Sequence, residues 1–334
     1  MNLSGRGHAP ALLPLLFSGA VVAGILSIVV GSAHIAFPDM VSAIEGKGDP
    51  IVRAILLELR LPRTILGLLV GAMLGTGGAA LQGYLRNPLA EPAVLGISSM
   101  AALGAVIAIY FKLADAHPWM VPLLAIVGAI AALVPLLRLS GKGESPLTLI
   151  LAGVALATLA GAGISLALNL SPNPFAAMEI TTWLLGSLED RSFKDVLIAL
   201  PCIVIGIGLL LSQGRALDAL SLGEDGARSL GTDLGRVRLV LLAGIAIGVG
   251  GAVAVSGAIG FVGLVVPHLV RRFTDRSPSA VLLPSALAGA ILLCASDIAV
   301  RVIPTATPLK LGVLTAFLGV PIFIHHLLRE RRLW

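Results

Sequence analysis

The sequence predicts an all-α fold, a polytopic membrane helical bundle of about ten transmembrane helices per subunit, and three features carry that prediction. Charged residues make up 12% of the chain, against roughly 25% in a soluble domain. Hydrophobic residues make up 57%, and the mean hydropathy is +1.00. Apolar stretches of about 20 residues recur along the whole length, as helices rising 1.5 Å per residue need to cross a hydrocarbon layer roughly 30 Å thick. No stretch is left over for a soluble domain, so residues 1–334 are expected to form one transmembrane domain.

Taken in order, hydropathy places spans near 11–36, 62–85, 93–111, 119–138, 147–170, 195–213, 237–256, 279–300 and 309–328. The first follows Arg6 and is too long for the apolar region of a cleaved signal, so it reads as a retained span. Gly67, Gly71 and Gly75 in the second span, with Gly244 and Gly248 in the seventh, mark helix faces that allow close approach. Residues 257–273 are apolar but short and contain Pro267, so they read as a broken or re-entrant helix. Counting them gives ten crossings and puts both termini on one side. A faint echo links 67–96 to 244–273, each a Gly-rich span followed by a Pro-containing break.

Charge selects the side. Of the 23 Lys and Arg residues, fourteen fall on the side of the N-terminus and nine on the other. The positive-inside rule therefore puts both termini in the cytoplasm. The sequence pI of about 9.7 is then a topology signal, and nucleic acid need not be invoked.

Three connections stand out. Arg215–Arg238, "RALDALSLGEDGARSLGTDLGRVR", is the longest on the N-terminal side, and its apolar positions recur at helical spacing. It reads as two short helices broken at Gly223 and Gly231, and its alternating Leu and Gly suit a docking surface better than a solvated connector. On the opposite side lie Pro38–Leu61, with "LELRLPR", and Ser171–Lys194, whose Met178–Leu188 portion is expected as a helix at the membrane surface. Between the second and third spans, Arg86-Asn87-Pro88-Leu89 forms a rigid corner. Pro88 lacks a backbone donor, and Asn87 can bond its own turn.

The chemistry-bearing patterns are sparse. "GKG" at 46–48 and 141–143 lacks the rest of a phosphate-cradling loop, and no H-E-x-x-H or G-x-S-x-G pattern occurs. Cys202 and Cys294 lie inside apolar runs and read as small packing residues. His268 and Asp297 are the ionisable residues nearest span interiors, where such groups are functional candidates. His268 nevertheless abuts Pro267 and Arg271 near a helix end, which suits a structural role, while His325 and His326 suit a helix terminus.

Several blocks resemble, in order, those of the permease subunit of type II ABC importers for iron-siderophores, haem or vitamin B12. They are "LRLPRTILGLLVGAMLGTGGAALQGYLRNPLAEPAVLGISSMAALGA", "LILAGVAL", "WLLGSLED", "LSLGEDGARSLG", "GFVGLVVPHLVR" and "LGVLTAFLGVPIF", covering about 55–330.

The resemblance implies a homodimeric permease in the bacterial cytoplasmic membrane, with a pathway along the subunit interface, two ATP-binding subunits beneath and a substrate-binding protein outside. No cofactor or metal is expected in this chain, and ATP and Mg belong to the partner ATPase. The resemblance makes residues 214–236 the ATPase-coupling loop, with Leu220, Gly223, Glu224, Ala227, Arg228, Leu230 and Gly231 matching the family pattern. It places Arg60, Arg63 and Arg301 where basic residues receive the binding protein's acidic side chains. Asn87, Pro88 and Leu89 resemble the turn that helps form the cytoplasmic gate.

The sequence departs from the family at Ala258, where a Pro is frequent, at "TPLKLGV" in 307–313, and at "ESPLT" in 144–148. The cargo, whether ferric siderophore, haem or cobalamin, stays open. The rival class, an ion-coupled secondary transporter, needs buried acidic groups, and the spans offer little beyond Asp297. A membrane enzyme would have only His268 with Asp297 as a start.

Overall fold

The computed structural model describes residues 9–33, 35–139, 146–305 and 307–330. Arg6, Lys142, Arg331 and Arg332, used in the charge count, and the 141–145 stretch lie outside the described residues.

Helix α1 spans Ala9–Val29, α2 Phe37–Ile44 and α3 Pro50–Ala54. A π-helical turn over Ile55–Arg60 then runs without a break into α4, Leu61–Leu85. The segment expected as a mere connection before residue 62 is thus helical. The wide turn lies directly before Pro62, which cannot donate to the carbonyl four residues back and would crowd it in a regular α-helix.

After the corner, a 3-10 turn at Pro92–Leu95 leads into α5, Ile97–Tyr110, and α6, Leu113–Ala116. Helices α7 (Met120–Ala131) and α8 (Leu133–Leu139) share one span, and α9 covers Pro146–Asn169. The surface helix α10 occupies Pro174–Leu184, four residues earlier than expected, because the Asn173 side chain accepts the Ala176 N–H and Pro174 fits the first helical position. Helix α11 (Phe193–Ser212) starts at a reciprocal Ser192–Asp195 cap.

The expected pair of short helices is present as α12 (Gly214–Leu220) and α13 (Glu224–Ser229), with Gly223 and Gly231 both at positive φ. Helix α14 (Leu234–Ser256) begins at the Asp233 cap, and α15 covers only Val262–Arg271. Helices α16 (Pro278–Val302) and α17 (Leu311–Glu330) complete the chain. Among the described residues, seven helices are long and apolar enough to cross a membrane, and three shorter apolar helices, α5, α15 and the start of α17, bring the number to ten.

The centre is built from the Gly-rich spans. Helices α4 and α14 are the most enclosed, while α1, α9 and α11 leave most of their apolar surface outward, as lipid-facing helices do. Helices α4 and α16 pack antiparallel. A Cβ on Gly71 would collide with the carbonyl of Gly289, and one on Gly75 with the carbonyl of Ser285. This contact is closer than side chains allow, and close approach of small residues is what associates helices where water cannot drive burial. Cys294 packs against Gly67, and Cys202 packs against Gly251, consistent with their reading as small packing residues.

Candidate functional site

The candidate residues divide between the two ends of the bundle. At one end, α4 begins and α16 finishes. Arg63 Nε lies 3.0 Å from both carboxylate oxygens of Asp297, and Nη2 lies 2.8 Å from Oδ1. Arg301, one turn further along α16, places Nη2 2.9 Å from the other oxygen, Oδ2. The one acid that the sequence singles out inside the spans is therefore held between two guanidinium groups.

The same arginines finish α1. Arg60 Nη1 donates to the carbonyls of Ile28 and Val29 at 2.9 and 2.8 Å, and Nη2 to Ala33 at 2.6 Å. Arg301 Nη1 donates to Ser27 and Val30, and its Nη2 to the Ser27 hydroxyl, which also accepts from Thr64. The last carbonyls of a helix have no intrahelical donors, and two cations supply them here. Arg60, Arg63 and Arg301 are thus engaged within the chain rather than standing free.

They nevertheless line one depression of about 280 Å³ together with Arg191, Glu189 and Asp190. Its lining carries four guanidinium groups and two carboxylates, with Asp297 and Asp195 paired to three of the arginines from behind. Burial pushes the Arg191 guanidinium below its ordinary pKa, opposed by Asp195 and Asp190. Beside it lies a second depression of about 370 Å³, between α10 and Lys310, where Lys310 pairs with Glu189 at 2.9 Å.

At the opposite end, α12 and α13 form a platform. Leu217, Leu220 and Ala227 point inward and are buried, whereas Leu222 and Leu230 are 69% and 65% exposed. Glu224 and Arg228 pair one turn apart at 3.5 Å on the same short helix. The platform is bonded to the bundle: the Asp218 carboxylate accepts the N–H of Ser279, in the first turn of α16, at 2.8 Å.

The corner after α4 sits beside this platform. Arg86 takes the left-handed conformation, φ 49°, that ends α4, and its side chain approaches Gly223. The Asn87 side chain accepts the Leu89 N–H at 2.9 Å, and its carbonyl accepts from Ala90 at 3.1 Å. Pro88 then needs no donor, so Asn87, Pro88 and Leu89 make a rigid non-helical turn with Leu89 exposed.

Sequence reasoning missed two polar residues next to this corner, Gln82, which is buried, and Glu91, which is half-buried. Gln82, buried in the last turn of α4, donates to the carbonyls of Gly263 and Leu264 at 3.3 Å and accepts from Arg271 at 3.2 Å. Pro267 has no N–H to give the Gly263 carbonyl, so the Gln82 amide replaces a missing helical bond. The other is Glu91, whose carboxylate accepts the N–H of Phe261 at 3.2 Å. A lone amide in an apolar span was the available signal for Gln82; for Glu91 it was an acid between Pro88 and Pro92.

The FecCD transport family model matches residues 19–329. An uncharacterized ABC transporter permease of Bacillus subtilis is 38% identical over 98% of this chain and 96% of its own length. The vitamin B12 import system permease of Vibrio vulnificus is 39% identical over 96% of this chain and 94% of its own. A solved chain, described as a metal-chelate type ABC transporter in an inward-facing conformation, superposes with a TM-score of 0.85 at 30% identity, covering 94% of this chain and 97% of that one.

Proposed function

This chain belongs to the FecCD transport family, and from that premise we propose that it works as the permease of an ATP-driven importer whose cargo is a ferric siderophore, haem or cobalamin. Residues 1–334 form one permease domain in the bacterial cytoplasmic membrane, with both termini in the cytoplasm. Two copies enclose the pathway, two ATP-binding subunits seat on the 214–236 loop, and ATP with Mg acts there rather than in this chain. Cargo arrives from a separate binding protein. The names of the similar proteins, one for vitamin B12 and one for a metal chelate, support this cargo class.

The observation that carries the reading is the α12–α13 platform. Its inner face is bonded to the bundle through Asp218, and its outer face presents Leu222 and Leu230 to a partner. A rigid stub of this kind passes closure of an ATPase pair to α16 as a push, the rigid-body transmission that alternating access requires.

At the other end, the arginine-rich depression lined by Arg60, Arg63, Arg191 and Arg301 suits acidic side chains of the binding protein. Asn87, Pro88 and Leu89 serve as the inner gate: a non-helical corner closes a mouth without melting a helix. The ion-coupled alternative lacks a free carboxylate at Asp297, because Arg63 and Arg301 already neutralise it.

The test is the subunit composition of the complex extracted gently with a tag on this chain. An ATPase recovered in equal amount, and lost when 223–231 is scrambled in a permease that still folds, supports the reading. A folded dimer that recovers no ATPase, under conditions that preserve a known importer, would sink it.

A further inference from the structure

Glu91 lies where the chain's two helical breaks meet. The first break is the corner from Arg86 to Gly96, and the second is the segment 257–261 that precedes α15. Phe261, the residue capping α15, packs against Gly319, eight residues into α17 and thus about 12 Å along that helix. Helix α15 therefore starts inside the bundle and not at its edge.

A helix end inside a bundle is costly to leave alone, since its first N–H groups have no intrahelical partners. Phe261 adds strain: its φ of 68° is a left-handed conformation that a bulky side chain rarely adopts. The Glu91 carboxylate answers both conditions. It takes the Phe261 N–H at 3.2 Å and sets a negative group at the positive end of the helix.

Neighbouring contacts make the junction rigid. Pro92 packs against Gly263 and Gly77, and the backbones of Gly78 and Gly263 approach so closely that a Cβ on Gly78 would collide with the Gly263 carbonyl. Gln82 bonds the same turn of α15 from α4. The far end of α15 continues through 272–277 into Ser279, which the platform holds through Asp218. A continuous path of short bonds thus runs from α12, through the α15–α16 turn and along α15, to Glu91 and the corner.

We propose that Glu91 is the positioning residue that fastens the Asn87–Leu89 corner to α15, so that movement of the α12–α13 platform displaces the corner. This deepens the gate and coupling readings above and rests on them. The carboxylate acts as a hydrogen-bond acceptor, touching no cargo. Its loss is expected to uncouple the corner from the platform while leaving the platform's outer face intact.

The test uses the permease purified with its ATPase in lipid nanodiscs, carrying Leu89→Cys in a background of Cys202→Ala and Cys294→Ala. The reading is the rate at which a maleimide labels position 89, before and after trapping with ATP and vanadate. With Glu91 intact, trapping should change that rate about tenfold, a middling coupling between two sites. Glu91→Ala should remove the change while ATP hydrolysis continues. Glu91→Gln, which keeps the acceptor oxygen, should restore it. Where the Ala variant does not assemble, Glu91→Asp, one methylene short of the Phe261 N–H, takes its place with the same expectation. An Ala or Asp variant that responds like the parent would overturn the latch alone, as would a Gln variant as defective as Ala. An unchanged rate with Glu91 intact would overturn the latch together with the gate reading beneath it.

Discussion

Arg63 and Asp297, 234 residues apart in the chain, meet in a two-pronged ion pair that closes the α4–α16 interface at one end. Arg301 shares the same carboxylate and also holds the end of α1. Three helices therefore depend on one acid.

That dependence sets the first expectation. Asp297→Ala leaves two nearly buried guanidinium groups without their counter-charge, and breaking such a pair from one side costs about 3–5 kcal/mol. Thermal unfolding of the purified variant in detergent reads the effect. A loss below about 1 kcal/mol, the range of an exposed pair, would mean that water replaces the carboxylate.

The Gln82 amide gives a second, sharper expectation. Gln82→Ala leaves the Gly263 carbonyl without a donor, at about 1–3 kcal/mol. In a Pro267→Ala background the new N–H at 267 can serve that carbonyl, so the same substitution should cost less. A double-mutant cycle in unfolding free energy measures the coupling, and additive effects would contradict the bond-replacement account.

Glycine substitutions separate contact from composition. Gly71→Ala drives a methyl into the Gly289 backbone and is expected to cost about 1–3 kcal/mol as overpacking. At Gly208 in α11 nothing lies within 4 Å of an added Cβ, so Gly208→Ala should be neutral or gain up to about 1 kcal/mol. Equal effects at both sites would argue that the α4–α16 contact yields freely.

On the platform, Leu222→Asp and Leu230→Asp together should abolish recovery of the ATPase without unfolding the permease, since both side chains are outward. If they are anchors of the interface, each costs about 2 kcal/mol, roughly thirtyfold in affinity. Binding of the purified ATPase to the nanodisc-held variant, followed by surface plasmon resonance, would show it. Undiminished affinity would move the docking surface elsewhere.

Local sequence sets the order of the spans and their approximate number, because twenty apolar residues in lipid have one way to satisfy their backbone, and that requirement is local. It determined the two short helices for the same reason: Gly223 and Gly231 interrupt a helical spacing that can be read along the chain. It marked the corner at Asn87 and Pro88, whose turn bonds all lie within five residues.

The tertiary structure alone decided what the charged and polar residues touch. The resemblance places Arg60, Arg63 and Arg301 where basic residues meet a binding protein, and the fold also turns them onto Asp297 and the end of α1. Their partners come from distant segments, so no local pattern can announce them. Glu91 and Gln82 likewise acquire their roles only where Phe261 and Pro267 arrive from some 170 and 185 residues away. Membrane insertion is governed by each segment's own hydropathy, whereas the pairing of buried polar groups is governed by which segments the bundle brings together.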